Sequence, residues 1–216
     1  MKQHPIIFSG PMVRAILEGR KTQTRRVMKP QPENNGALEL VPGGRLWYEW
    51  PIAGGLDHFC QFPYGQVGDR LWIRENFQIT QPWGSDGDEW IGDDLMEIDG
   101  RLPHEKPEEI GFWWQIQYKA DDPETCRWWR PSIFMPRWAS RIDLEIVNVR
   151  VEQIQRITIR DAAAEGIDHT YKDALDMVSV SWYQDLWNDL NGKRGFGWSE
   201  NPFVWVIEFK TIKRAE

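Results

Sequence analysis

The stretch "EGRKTQTRRVMK", Glu18 to Lys29, sets two threonine hydroxyls among a dense run of cations. From Arg14 to Lys29 there are six cations (Arg14, Arg20, Lys21, Arg25, Arg26 and Lys29) against one anion, Glu18. Such a strip can hold a phosphate or a polar base, because local potential follows local charge. The chain as a whole has a net charge of −7, which argues against general coating of nucleic acid. Its negative charge is gathered elsewhere: Ser85 to Asp99 carries seven anions and no cation. Other residue sets promise less. His58 and Cys60 form a His-x-Cys pair, but no second pair with ligand spacing accompanies it, so no metal site is expected. Glu75 in "LWIRENF" reads as one half of a structural ion pair, with Arg74 or Arg26 as partner. "GGR" and "GKRG" lack a phosphate-loop pattern, and no Ser-His-Asp set is suggested.

The 14 Trp are unusual, and many stand beside Arg or beside each other: "RLWYEW", "FWWQIQY", "RWWRP", "RWASR". Large aromatics of this kind either staple a core or stack on bases. A few suffice for a site, so most are read as core. The candidate ligand wall consists of Arg20, Arg25 and Arg26 from the basic strip with Trp72, Arg137 and Trp138.

These side chains need elements to hold them. "HPIIFSGPMVRAILEGRK" reads as a short strand and then a helix, with Ser9 as N-cap and Pro11 in the first turn. Met12, Val13, Ile16 and Leu17 mark its apolar face, and Gly19 its stop. "KTQTRRVM" follows as an extended segment. Irregular insertions are expected at about 30–63, with one strand at "RLWYEW", and at about 81–111. "VGDRLWIRENFQIT" and "WWQIQYKAD" read as strands. The alternation in "RIDLEIVNVRVEQI" changes phase between Ile146 and Val147, so a bulge or bend is expected there. "TIRDAAAEG" predicts a short helix with a Thr158/Asp161 capping box and Gly166 as its stop. A longer helix is predicted from about Lys172 to Leu190, with an apolar stripe of Leu175, Val178, Trp182, Leu186 and Leu190. "PFVWVIEFKTI" closes as a strand with Phe203, Trp205, Ile207 and Phe209 on one face. Together these give an α+β fold with a small closed β-structure, in one domain spanning 1–216. Two cysteines, no bilayer-length apolar run and an N-terminus unlike a signal peptide predict a cytoplasmic protein with reduced thiols.

"ILEGRKTQTRR", followed by "ITIRDAAAEGI" and the terminal "VWVIEFK", resembles the ASCH family, whose fold is related to the PUA domain. "PYGQVGDRLWIRENF" and "FMPRWASRI" look like larger, prophage-encoded members. The resemblance implies a β pseudobarrel with a cleft beside the first helix and a ligand drawn from RNA, nucleosides or modified bases; no cofactor is expected. One small bacterial branch hydrolyses the amide of N4-acetylcytidine with a Lys, a Thr and a Glu. These fall on Lys21, Thr24 and Glu165.

The chemistry of those three types is coherent. Amide hydrolysis needs a nucleophile, a proton acceptor and a donor for the leaving amine. A threonine hydroxyl needs a base beside it. Lys21 can be that base if burial and neighbouring arginines lower its pKa. Glu165, at a helix C-terminus where the macrodipole disfavours negative charge, suits a proton shuttle. In one regular strand Lys21 and Thr24 would face opposite ways, so the strand must begin after Lys21 or be bulged there. Three readings stay open: a module binding nucleosides or single-stranded RNA, an amidohydrolase on N4-acylated cytosine, and a phage-type interaction factor whose acidic insertion meets a basic protein partner.

Overall fold

The computed structural model describes residues 1–32, 39–41, 45–48, 58–81, 90–91, 106, 115–124, 128–167 and 175–212. The acidic stretch from Ser85 to Asp99, apart from Trp90 and Ile91, lies outside them, as does the expected first turn of the long helix at 172–174. In chain order the elements are β1 (Gln3–Ile7), α1 (Gly10–Leu17), β2 (Gln23–Val27), β3 (Glu39–Val41), β4 (Arg45–Tyr48), β5 (His58–Gln61), β6 (Arg70–Arg74), β7 (Phe77–Gln81), β8 (Trp90–Ile91), β9 (Gln115–Tyr118), β10 (Asp143–Gln153), α2 (Ile159–Ala164), α3 (Leu175–Asn191) and β11 (Phe203–Ile212). The fold is mixed α+β. Its main sheet has five strands in the order β1-β6-β10-β11-β2. Two three-stranded sheets accompany it, β3-β4-β5 and β8-β7-β9. The described strands do not close into the expected barrel: the five-stranded sheet ends on β1 and β2. No described helix is long and apolar enough to cross a membrane.

The chain divides into two compact units. Unit 1 comprises Met1–His4, Ala15–Arg70 and Glu145–Thr211; unit 2 comprises Pro5–Arg14, Leu71–Leu144 and Ile212–Glu216.

In unit 1, β11 pairs antiparallel with β2, with Ile207 opposite Thr24 and Val206 opposite Arg25. The expected Trp205 and Ile207 face of β11 is buried, but so are Val204 and Val206 on the other face. The reason is a second layer. Val204 and Val206 pack with Ile154, Ile157, Ala162, Tyr183 and Trp187, so α2 and α3 cover that face. On the first face Trp205 meets Phe62, with ring centroids 5.1 Å apart. The apolar stripe of α3 is also displaced from expectation. Among its residues with described side chains, Tyr183, Trp187 and Asn191 are buried, Trp182 and Leu186 flank the aromatic pair and Leu190 is exposed; Leu175 and Val178 of the expected stripe lie outside the described side chains. Spacing alone could not choose between adjacent rows. The aromatic pair at i and i+4 takes the core, and its polar tip is satisfied because Trp187 Nε1 donates to the Phe196 carbonyl at 2.8 Å. In α1 the buried row is Val13, Ala15 and Ile16, which leaves Leu17 past the rim and exposed. The stretch 30–63 is less irregular than its Pro and Gly suggest, since β3, β4 and β5 make an antiparallel meander there. In β10, Leu144 and Ile146 are buried, Val147 and Asn148 are both exposed, and Val149 is buried again. The phase change therefore falls where the sequence places it, within one continuous strand.

In unit 2, β7 pairs with β8 and β9. Phe77, Ile79, Met135 and Ala139 form its core, against which Ile116, Tyr118 and Trp138 pack. Glu75 is ion-paired, as expected, though with neither Arg74 nor Arg26. Arg141 grips it through Nε at 2.9 Å and Nη2 at 3.2 Å. The same guanidinium holds Asp121 at 2.6 and 2.8 Å and lies 3.9 Å over the Tyr118 ring.

Candidate functional site

The centre of unit 1 is a buried ionic cluster that joins the basic strip to the α2 terminus. Two local devices build it. Gly19, at φ +74°, turns the chain after α1, and the amides of Arg20 and Lys21 then both donate to the Ala15 carbonyl at 2.9 Å. This fixes Lys21 against the helix before β2 starts at Gln23, so Lys21 lies outside the regular strand. It forms an isolated antiparallel bridge with Glu165 instead. The second device is the capping box of α2. The Asp161 amide donates to Thr158 Oγ1, while the Thr158 amide donates back to the Asp161 carboxylate. Glu165 caps the other end of that helix.

Gly166 completes the approach. It has φ +99°, and a Cβ there would sit 2.9 Å from both Ala15 Cβ and Lys21 Cβ. Gly166→Ala is therefore expected to destabilise by about 2 kcal/mol or more, because strained backbone and overpacking act together. Chemical denaturation checks this, and a loss below about 0.5 kcal/mol would show that the turn relaxes freely.

The side chains then meet. Lys21 Nζ donates to Glu165 Oε2 at 2.7 Å and to the Glu165 carbonyl at 2.9 Å. Arg25 Nη1 donates to the other carboxylate oxygen, Oε1, at 3.1 Å. Arg25 also grips Glu152 through Nη2 at 2.6 Å and lies 5.8 Å over the Tyr183 ring. Arg150 ties Glu152, Asp161 and Glu208 together from the side. Lys21 is 3% exposed, Glu165 3% and Thr24 1%. Burial lowers the Lys21 pKa and prevails over Glu165, which raises it; the charges of Arg26 and Arg25 add to the lowering. Burial also disfavours charge on Arg25, but Glu165, Tyr183 and Glu152 outweigh it and raise its pKa. Burial, then the nearby Glu165 charge, push the Tyr183 phenol well up.

Thr24 stands on β2 one residue before Arg25, so strand alternation turns it to the opposite face. There its Oγ1 accepts from Arg26 Nη1 at 2.9 Å. Arg26 is thus common to two of the predicted residues: it hydrogen-bonds Thr24, and its charge acts on Lys21. Arg20 pairs with Glu18 and donates to the carbonyls of Gly166 at 2.7 Å and Ile167 at 3.2 Å, so it serves the same turn. Three of the strip's six cations, Arg20, Lys21 and Arg25, are therefore paired with the protein's own carboxylates.

Trp72, Arg137 and Trp138 belong to unit 2. Trp72 is buried, with the guanidinium of Arg74 4.7 Å and that of Arg137 5.7 Å from its ring centroid. Arg137 pairs with Asp143 at 2.8 Å, and Trp138 packs on the unit 2 core. Sequence reading missed Glu152, Asp161, Arg150 and Tyr183 as members of the cluster. Arg150 and Glu152, two apart on one strand, were the available signal: their side chains share a face.

No family model and no curated protein sequence matches this chain. Among solved structures it is similar to the ASCH domain from Lactobacillus crispatus JV V101, at 14% identity over 97% of this chain and 79% of that chain, with a TM-score of 0.39.

Proposed function

We propose that this chain is an ASCH-type protein that binds a nucleobase, carried by a nucleoside or by RNA, at the Lys21–Glu165 centre and hydrolyses an N4-acyl amide of cytosine there. The observation that carries the reading is the buried 2.7 Å contact between Lys21 of the "GRKTQTRR" motif and Glu165 of "RDAAAEG". The two lie 144 positions apart, and the resemblance required them to act together. In the proposed reaction Thr24 Oγ attacks the acyl carbonyl and its proton passes to neutral Lys21. The C–N4 bond breaks as N4 regains a proton through the Lys21–Glu165 pair, and water then releases the acyl group from Thr24. N4-acetylcytidine plus water becomes cytidine plus acetate. Arg26 supports the attack, since a guanidinium donating to Oγ stabilises the negative charge that develops on it. A pKa lowered by burial supports the basic role of Lys21. Because these side chains are buried, an acyl group reaches them only when the residues covering them move.

The test is incubation of the purified protein with N4-acetylcytidine, free and within a short RNA, with products separated by chromatography. Cytidine and acetate formed in equal amounts are the expected result. Binding without product reduces the function to recognition of the base, and neither binding nor product removes the reading.

A further inference from the structure

Unit 2 carries a surface with a different chemistry from the buried centre of unit 1. Residues 128–134 run antiparallel along 74–78. Gln78 Nε2 donates to the Trp128 carbonyl at 3.1 Å, Phe77 and Arg130 exchange backbone hydrogen bonds of 3.3 and 2.8 Å, the Ser132 amide donates to Asn76 Oδ1 at 3.0 Å, and Arg74 Nη1 donates to the Ile133 carbonyl at 3.3 Å. This fastening fixes the backbone while three large apolar side chains face solvent: Trp128 is 64% exposed, Ile133 59% and Phe134 63%. Three such residues within seven positions, on a segment held this firmly, form a presented surface rather than a frayed end.

The charge beside them is positive. From Trp128 to Ile142 there are three arginines and no acid. Arg137 and Arg141 are matched by carboxylates. Arg74 is not: among the described residues no carboxylate pairs with it, and its buried Nε has no hydrogen-bond partner. It lies over Trp72, which orients the guanidinium, and burial alone acts on its pKa, in the lowering direction. The Nη1 contact lies at the exposed end of the side chain, where a guanidinium without a carboxylate can take an anion.

From this juxtaposition we infer that the Arg74–Trp128–Phe134 face binds single-stranded nucleic acid, with the phosphodiester on Arg74 and bases stacked on Trp128 and Phe134. The partner follows from complementarity. A planar fork suits a phosphate, and exposed aromatic faces accept any base. A purely apolar protein partner would leave Arg74 without its anion. The inference stands on unit 2 alone and needs no hydrolysis at Lys21 and Glu165.

The experiment is fluorescence anisotropy with labelled oligo(U) and oligo(dT) of about ten nucleotides, within the usual footprint of such sites, titrated across a salt series. Wild type is expected to bind with an affinity that falls as salt rises. Arg74→Gln should flatten the log–log salt slope by about 0.7, the loss of one phosphate contact on a single strand. The double variant W128S/F134S alters exposed side chains only. It should keep the slope and weaken binding roughly tenfold or more, with quenching of tryptophan fluorescence reduced. Circular dichroism verifies that each variant is folded. Absence of salt-dependent binding by wild type overturns the inference and leaves the face as an apolar surface for protein. So does unchanged binding by folded W128S/F134S. Oligo(U) and oligo(dT) carry no N4-acyl cytosine, so a negative hydrolysis assay on N4-acetylcytidine leaves this result standing. Loss of binding in Glu165→Gln, with none in Arg74→Gln, would move the strand to the unit 1 centre and end the proposal.

Discussion

Glu165→Ala is expected to lower the unfolding free energy by about 3–5 kcal/mol near neutral pH, the range for breaking a buried ion pair on one side only. The carboxylate is shared. Lys21 occupies Oε2 and Arg25 occupies Oε1, and all three side chains are shielded from water. Truncation leaves two cations where one anion stood between them. Arg25 keeps Glu152 as a partner, so the larger uncompensated charge is on Lys21. That residue can escape by losing its proton. Its pKa is already lowered by burial, and the variant removes Glu165, the group that raises it. Between that lowered pKa and its ordinary value near 10.4, the unfolded chain binds more protons at this position than the folded one, so stability rises with pH. Only between the variant's Lys21 pKa and the higher wild-type one does the variant's folded state alone shed the proton, so the deficit of Glu165→Ala should shrink as pH rises through that window, read by urea unfolding across a pH series. The paired replacement Lys21→Met with Glu165→Leu removes charge and counter-charge together and should recover much of the loss. A single-variant cost below about 1 kcal/mol, independent of pH, would mean that water reaches the pair and that its burial is not felt.

Thr24→Ala is expected to abolish turnover of N4-acetylcytidine while leaving the base bound. The substitution deletes the hydroxyl that would carry the acyl group, and kcat should fall by at least about 10²–10⁴, the scale attached to loss of proton-transfer or nucleophilic groups. The structural cost is small by comparison. Only the Arg26 contact to Oγ1 is lost, worth about 1–2 kcal/mol as a bond to a charged donor, so the protein should remain folded. If Lys21 is the base, kcat in wild type rises with pH until its amine is neutral and then levels off, at a pH below that of an ordinary lysine because burial lowers its pKa. Lys21→Arg cannot shed its proton and should show neither the rise nor the rate. Turnover by Thr24→Ala at the wild-type rate would exclude Thr24 as nucleophile and leave a centre that only binds.

What was legible in the sequence was whatever a few neighbouring residues decide. The α2 capping box is an i to i+3 arrangement, and Thr158, Asp161 and Gly166 take the positions their types demand. The phase change after Ile146 shows in the alternation itself, because side-chain direction along a strand is a local property. The turn at Gly19 and the start of β2 beyond Lys21 follow from the same kind of local chemistry. Long-range pairing was not legible. Glu75 has Arg74 beside it in sequence but is held by Arg141, 66 positions away, because a strand sends neighbouring side chains to opposite faces. Arg25 reads as part of an open basic wall, yet Glu152 and Glu165, 127 and 140 positions distant, close over it. Likewise β11 showed one apolar face in its alternation, and only the packing of α2 and α3 on its other side explains why Val204 and Val206 are buried too. Desolvation decides these cases. Whether a charge is a surface feature or half of a buried pair depends on what covers it, and that cover comes from parts of the chain whose separation in sequence carries no signal of their contact.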